Sequence, residues 1–130
     1  MKKFNIIEFA IAGIIVLFSC NASAEKVLTA DETKALFSGK TFDGYNEIKE
    51  RSYKVYSAPD GTMIHQNARR TKKLTWEING AGEHCAQFPK RNLCGKIVSM
   101  GDGVYHKINK NGKHTNTLKN FAEGNNVKLD

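Results

Sequence analysis

The densest chemistry in the chain is Arg69-Arg70-Thr71-Lys72-Lys73, four cations in five residues. Lys90-Arg91, Lys107, Lys110 and Lys113 lie in later loops and a hairpin, and if those ends converge they form one basic rim with the first group. A rim of this kind holds phosphate or carboxylate through charge-assisted hydrogen bonds, with Arg69, Arg70 and Arg91 as the bidentate donors. The partner it implies is an anionic envelope component or an acidic protein surface. The competing reading is a solvated loop, because surface charge alone is unspecific. Nucleic acid is disfavoured, since no exposed aromatics interleave with the basic residues.

The other reactive side chains are arranged for structure rather than catalysis. His65, His84, His106 and His114 are scattered, with no His-x-x-x-His or His-Glu-x-x-His spacing, and read as surface or rim residues. A two-residue turn at Asn111-Gly112 would pair Asn109 with His114 and His106 with Thr117, putting the two imidazoles on opposite faces of the sheet. Asp60 and Asp102 sit where tight turns demand Asp and Gly. Serine elbows, phosphate-cradling glycine loops, dinucleotide fingerprints and calcium loops are absent from the sequence. These residues therefore predict no catalytic constellation, no metal site and no cofactor. An enzyme of an unrecognised class is left as an alternative.

The N-terminus sets the compartment. Met1-Lys2-Lys3, an uncharged apolar run from Phe9 to Phe18, and Ala22-Ser23-Ala24 form an export signal with cleavage before Glu25. This predicts a signal peptide over 1–24 and a single small domain over 25–130, located in the periplasm or secreted. Leu17-Phe18-Ser19-Cys20 offers a second reading, a lipobox in which Cys20 is acylated and the protein becomes a membrane-anchored lipoprotein. Only that reading brings the protein to a membrane. The full chain carries 20 Lys and Arg against 13 Asp and Glu, a formal net charge of +7. Removing Lys2, Lys3 and Glu8 leaves about +6. Cys85 and Cys94 then remain as a pair, which an oxidising compartment would close as a structural disulfide.

The elements that must position these groups are mostly strands. Thr29-Ala30-Asp31-Glu32 is a capping box that starts one short helix, ended by Gly39. Ser52 to Tyr56 and Thr62 to Gln66 flank the turn residues Ala58-Pro59-Asp60-Gly61. Lys73 to Ile78 alternates strictly, sending Leu74, Trp76 and Ile78 to one face. Further strands are expected at Lys96 to Met100, Val104 to Ile108 and Lys113 to Leu118, with others at Thr41 to Ile48 and Cys85 to Phe88. The fold class is thus mainly β, an antiparallel meander closing as a small barrel or sandwich with one short N-terminal helix.

The order of that helix, Gly39-Lys40-Thr41, Tyr56 through Pro59-Asp60-Gly61-Thr62, the Trp76 strand, Cys85 and Cys94, Gly101-Asp102-Gly103-Val104-Tyr105 and Gly124-Asn125 resembles small secreted lipocalin-like proteins of Gram-negative bacteria. The likeness runs from about Leu28 to Leu129. It implies a compact antiparallel barrel with a helix at its start and transfers no catalytic residue. Two functions follow as expectations: a non-enzymatic module engaging anionic partners through its basic rim, or a carrier of an apolar small molecule. For the carrier, Tyr53, Val55, Leu74, Trp76 and Ile78 would line the pocket or fill the core. A chain of this length favours the filled core, with Trp76 packed into it.

Overall fold

The computed structural model describes residues 25 to 127. The export signal, its cleavage point and Cys20 lie outside them. In order come β1 (Lys26–Val27), α1 (Ala30–Phe37), β2 (Lys40–Asn46), β3 (Arg51–Ser57), β4 (Thr62–Gln66), β5 (Thr71–Ile78), β6 (His84–Phe88), β7 (Arg91–Gly101), β8 (Val104–Ile108) and β9 (His114–Glu123).

Alternation within each strand sends one set of side chains inward: Phe42 and Gly44 on β2, Val55 and Ser57 on β3, Leu74 and Trp76 on β5, Ala86 on β6 and Ile97 on β7, all buried. Each strand pairs antiparallel with its neighbours in the order β1-β7-β6-β5-β4-β3-β2-β9-β8, and a further β7–β8 pairing closes the sheet. Strands β2 to β9 therefore form a closed eight-stranded barrel, the first of the two expected architectures. Strand β7 is long enough to serve two partners on one side. Its first half pairs with β6, and β1 takes the place beyond it, opposite Val98 and Ser99.

Helix α1 lies at the end of the barrel where β2 begins. Thr29 caps it, its hydroxyl accepting from the Glu32 amide at 3.1 Å while the Glu32 carboxylate accepts from the Thr29 amide at 2.9 Å. Eight residues of helix are not stable alone in water, and α1 is held by Phe37, which is 0 % exposed. That ring packs edge-on against Phe42 and Phe121, stacks on His84 and tilts over Trp76, at centroid distances of 4.2 to 6.2 Å. Trp76 completes the core, and its indole N–H donates to the Ala58 carbonyl at 2.9 Å, the polar contact a buried tryptophan requires.

Cys85 and Cys94 face each other across β6 and β7 and are joined as a disulfide. Alternation turns His84, Ala86 and Phe88 inward, so the bridge lies on the outer side of the sheet. Replacing both cysteines with alanine is expected to lower the free energy of unfolding by about 2–3 kcal/mol, the chain-entropy value for so short a loop. Urea denaturation checks this, and a loss below about 1 kcal/mol would show that the strand ladder alone restrains the hairpin.

The β8–β9 connection differs from the two-residue turn expected from Asn111-Gly112. Asn109 and Lys113 close a longer loop through the Asn109 amide and the Lys113 carbonyl at 2.9 Å. His106 does pair with Thr117, but Ile108 pairs with His114, and the register shifts between Lys107 and Ile108. The extra residue, Thr115, turns His114 onto the same outer face as His106. The two imidazoles stack there at 3.7 Å instead of lying on opposite faces.

Candidate functional site

Antiparallel up-and-down order brings the β2–β3, β4–β5, β6–β7 and β8–β9 loops to one end of the barrel, opposite α1. Two of these loops are fixed by an asparagine at the strand end that lines the interior. Asn46 Oδ1 accepts from the Ile48 and Lys49 amides, and Asn67 Oδ1 accepts from the Arg69 and Arg70 amides at 2.8 and 3.0 Å. Such side-chain turns hold the loop backbone and so set where Lys49, Arg69 and Arg70 project.

Between these loops and the Phe37 plug lies a cavity of about 320 Å3. The expectation of a filled interior is therefore corrected. Phe37, Trp76 and Leu74 fill the end beside α1. Phe42, Val55, Met63, Ala86, Phe88, Leu93 and Leu118 supply its apolar wall. Its charged wall is of one sign. Lys49, Arg51, Arg69, Arg70, Lys72 and Arg91 stand toward the mouth, Lys107 lies further in, and no Asp or Glu lines it among the described residues. Lys72 and Arg91 each sit over the Phe88 ring at 5.8 Å from its centre, within the range of a cation–π contact.

Two inward positions lack a side chain because a long polar group occupies the space. A Cβ at Gly44 would lie 2.2 Å from the Tyr53 ring, the residue opposite it in the ladder. A Cβ at Gly95 would lie 2.7 Å from the Ile108 carbonyl and 3.0 Å from the Lys107 Cγ. Gly44 thus accommodates the Tyr53 ring, and Gly95 accommodates the stem of Lys107. The Tyr53 oxygen accepts from Asn116 Nδ2 at 2.8 Å, which leaves its own proton available. Burial pushes this phenol well above its ordinary value.

Lys107 and His84 form the innermost polar pair. Lys107 Nζ donates to the Leu93 carbonyl at 2.8 Å and lies 3.0 Å from His84 Nδ1. No carboxylate contacts it among the described residues, and burial holds its ammonium down to about 7. His84 is 5 % exposed, lies between the rings of Phe37 and Trp76, and is kept well below the usual histidine range by burial and by Lys107. When Lys107 donates to Nδ1, the proton of the neutral imidazole resides on Nε2, which has no protein partner. His65 stacks on Tyr53 at 4.8 Å, and burial followed by Lys72 lowers it too.

The structure separates the residues singled out in the sequence. Arg69, Arg70, Lys72 and Arg91 line the cavity mouth, whereas Lys73 points outward from β5 and Lys90 is exposed on the β6–β7 turn. Tyr53 and Val55 line the cavity, Leu74 and Trp76 belong to the core, and Ile78 packs half-buried against that core. Lys107 is not a rim residue, being 7 % exposed inside the barrel. His84 and His65 are not surface histidines but part of the inner wall. Arg51, Lys49 and Asn116 were not expected at the site; Lys49 owes its place to the turn held by Asn46, and the other two to the ladder. Arg51 and Tyr53 share a face of β3, and Asn116 pairs with Lys107. No protein-family model matches this chain, and neither a curated protein nor a solved structure does.

Proposed function

We propose that this protein is an exported binding module that takes a small organic anion, polar at one end and apolar along its length, into the barrel through a basic mouth. The observation that carries this reading is the one-sided charge of the cavity: among the described residues seven lysines and arginines line it without a carboxylate. Like charges gathered around a partly apolar space repel one another, and an anion offsets that cost while its chain covers the apolar wall. The two functions expected from the sequence, an anionic partner and an interior ligand, thereby fall on one site. Kinship with the small secreted lipocalin-like group belongs to the same proposal, supported by the helix-plus-barrel order. Export is supported by the Cys85–Cys94 bridge, since disulfides persist in oxidising compartments.

Decanoate and decyltrimethylammonium, which share a chain and differ in the sign of the head, provide the test. Titration calorimetry is expected to show decanoate binding that weakens as salt is raised, and no binding of the cation. Changing Arg51, Arg69 and Arg70 together to glutamine should weaken decanoate at least about tenfold, roughly 1.4 kcal/mol. Changing Lys73 and Lys90, which lie outside the cavity, should leave it within about twofold. Equal losses in the two variants would mean that net charge, not the cavity, attracts the anion, and the proposal would fail.

A further inference from the structure

The mouth accounts for one end of a bound anion and leaves the inner polar pair without a role. Lys107 and His84 stand on the same cavity as the mouth arginines but belong to its closed end. His84 is the first residue of β6 and stacks on the Phe37 plug, whereas Phe88, the last residue of β6, sits among the mouth cations. Four residue steps of strand separate the two levels, roughly 13 Å at about 3.3 Å per residue. The volume between them holds on the order of ten carbon- or water-sized groups at about 30 Å3 each.

Two polar hydrogens are left unmatched at that inner end. Lys107 Nζ uses two of its protons on the Leu93 carbonyl and on His84 Nδ1, and an ammonium has three. His84 Nε2 is enclosed and lacks a protein partner. No acidic side chain lines the cavity among the described residues. A buried, unbalanced set of donors is a poor structural arrangement and a good receptor for a carboxylate or carbonyl oxygen.

The geometry points to a second recognition point at the closed end of the cavity, where Lys107, held in place by His84 and the Leu93 carbonyl, binds an oxygen function carried by the far end of the ligand. The occupant is then an elongated molecule with oxygen groups at both ends and an apolar middle, an α,ω-dicarboxylate in its simplest form. This inference rests on the anion reading of the cavity and adds a length and an orientation to it. The first carboxylate to enter crosses the apolar section and meets Lys107, and the second remains among the mouth arginines.

Decanedioate and decanoate separate this inference from the reading beneath it. By calorimetry at pH 7, the intact mature chain is expected to bind decanedioate about tenfold more tightly than decanoate. In Lys107→Met that preference should vanish, the affinities for the two acids falling within about threefold of each other, while far-UV circular dichroism reports an intact fold. Equal affinities in the unaltered protein, or a preference that survives Lys107→Met, would overturn the inner recognition point and leave the mouth standing. Failure of the unaltered protein to bind either acid would overturn the anion cavity itself, and this inference with it.

Discussion

Replacing Lys107 with methionine is expected to raise the free energy of unfolding at pH 7 by roughly 1–4 kcal/mol, the range found when buried ionic groups give way to apolar residues of similar volume. Burial holds the folded Lys107 ammonium down to about 7, against an ordinary value of 10.5. A group whose folded value is depressed binds its proton more weakly when folded. Between about pH 7 and 10.5 the unfolded chain therefore carries more proton at this position, and stability climbs with pH by up to about 1.4 kcal/mol per unit. Methionine removes that penalty and follows the same path beside Gly95. It also takes the donor from His84 Nδ1 and the Leu93 carbonyl, at about 1 kcal/mol each, which keeps the net gain below the full penalty.

Urea denaturation from pH 7 to 9.5 is the measurement. The unaltered protein should stabilise along this range and Lys107→Met should stay nearly flat. The range stops there because the Tyr53 phenol is pushed up by burial. From about pH 10 the unfolded phenol loses its proton first, and stability falls again. Below about pH 6.5 both proteins should weaken, because burial depresses His65 and His84 and the unfolded chain takes their protons. A Lys107→Met variant less stable than its parent at pH 7 would show that the two hydrogen bonds outweigh the buried charge.

Phe37→Ala should have the opposite sign and a similar size, a loss of about 3–5 kcal/mol as for other fully buried phenylalanines. The ring touches four aromatic neighbours from four different strands, β2, β5, β6 and β9. It is also the fully buried apolar residue of a helix too short to persist unaided. Truncation thus removes the contacts of the ring and most of what docks α1. Leu36→Ala, one position away but only half-buried, should cost no more than about 1.5 kcal/mol. Comparable losses in the two variants would mean that α1 is held by its general apolarity rather than by the Phe37 socket.

Much of the scaffold was legible because local chemistry and tertiary structure agree. Thr29 and Glu32 cap the helix as their spacing requires. Asp60 closes the β3–β4 turn by accepting from the Thr62 amide and hydroxyl, and strict alternation from Lys73 to Ile78 puts Trp76 inside. The site was harder to read, for identifiable reasons. In Val104-Tyr105-His106-Lys107-Ile108 apolar residues fall on both alternating sets, so the pattern does not say which face is inward. Only closure against β7 and β9 decides that Lys107 is interior, and its space is made by Gly95 on another strand. The bulge that brings His106 and His114 together adds Thr115, with no glycine or proline to announce it. Lys90-Arg91 read as a loop, yet Arg91 opens an eleven-residue strand that carries its side chain to the cavity.

The Phe37 plug has a kinetic meaning beyond its contribution to packing. With α1 seated across one end, the chamber is a cul-de-sac, and arrival and departure use the same doorway. If the chamber takes the proposed anion, a resident molecule would have to vacate before a successor enters, and exchange would proceed by dissociation and not by displacement from behind. Added salt, by screening the doorway charges, should slow capture far more than it hastens escape. Residence time then depends on the inner wall and the four hairpin loops, and loop changes should alter the traffic without disturbing the floor beneath it.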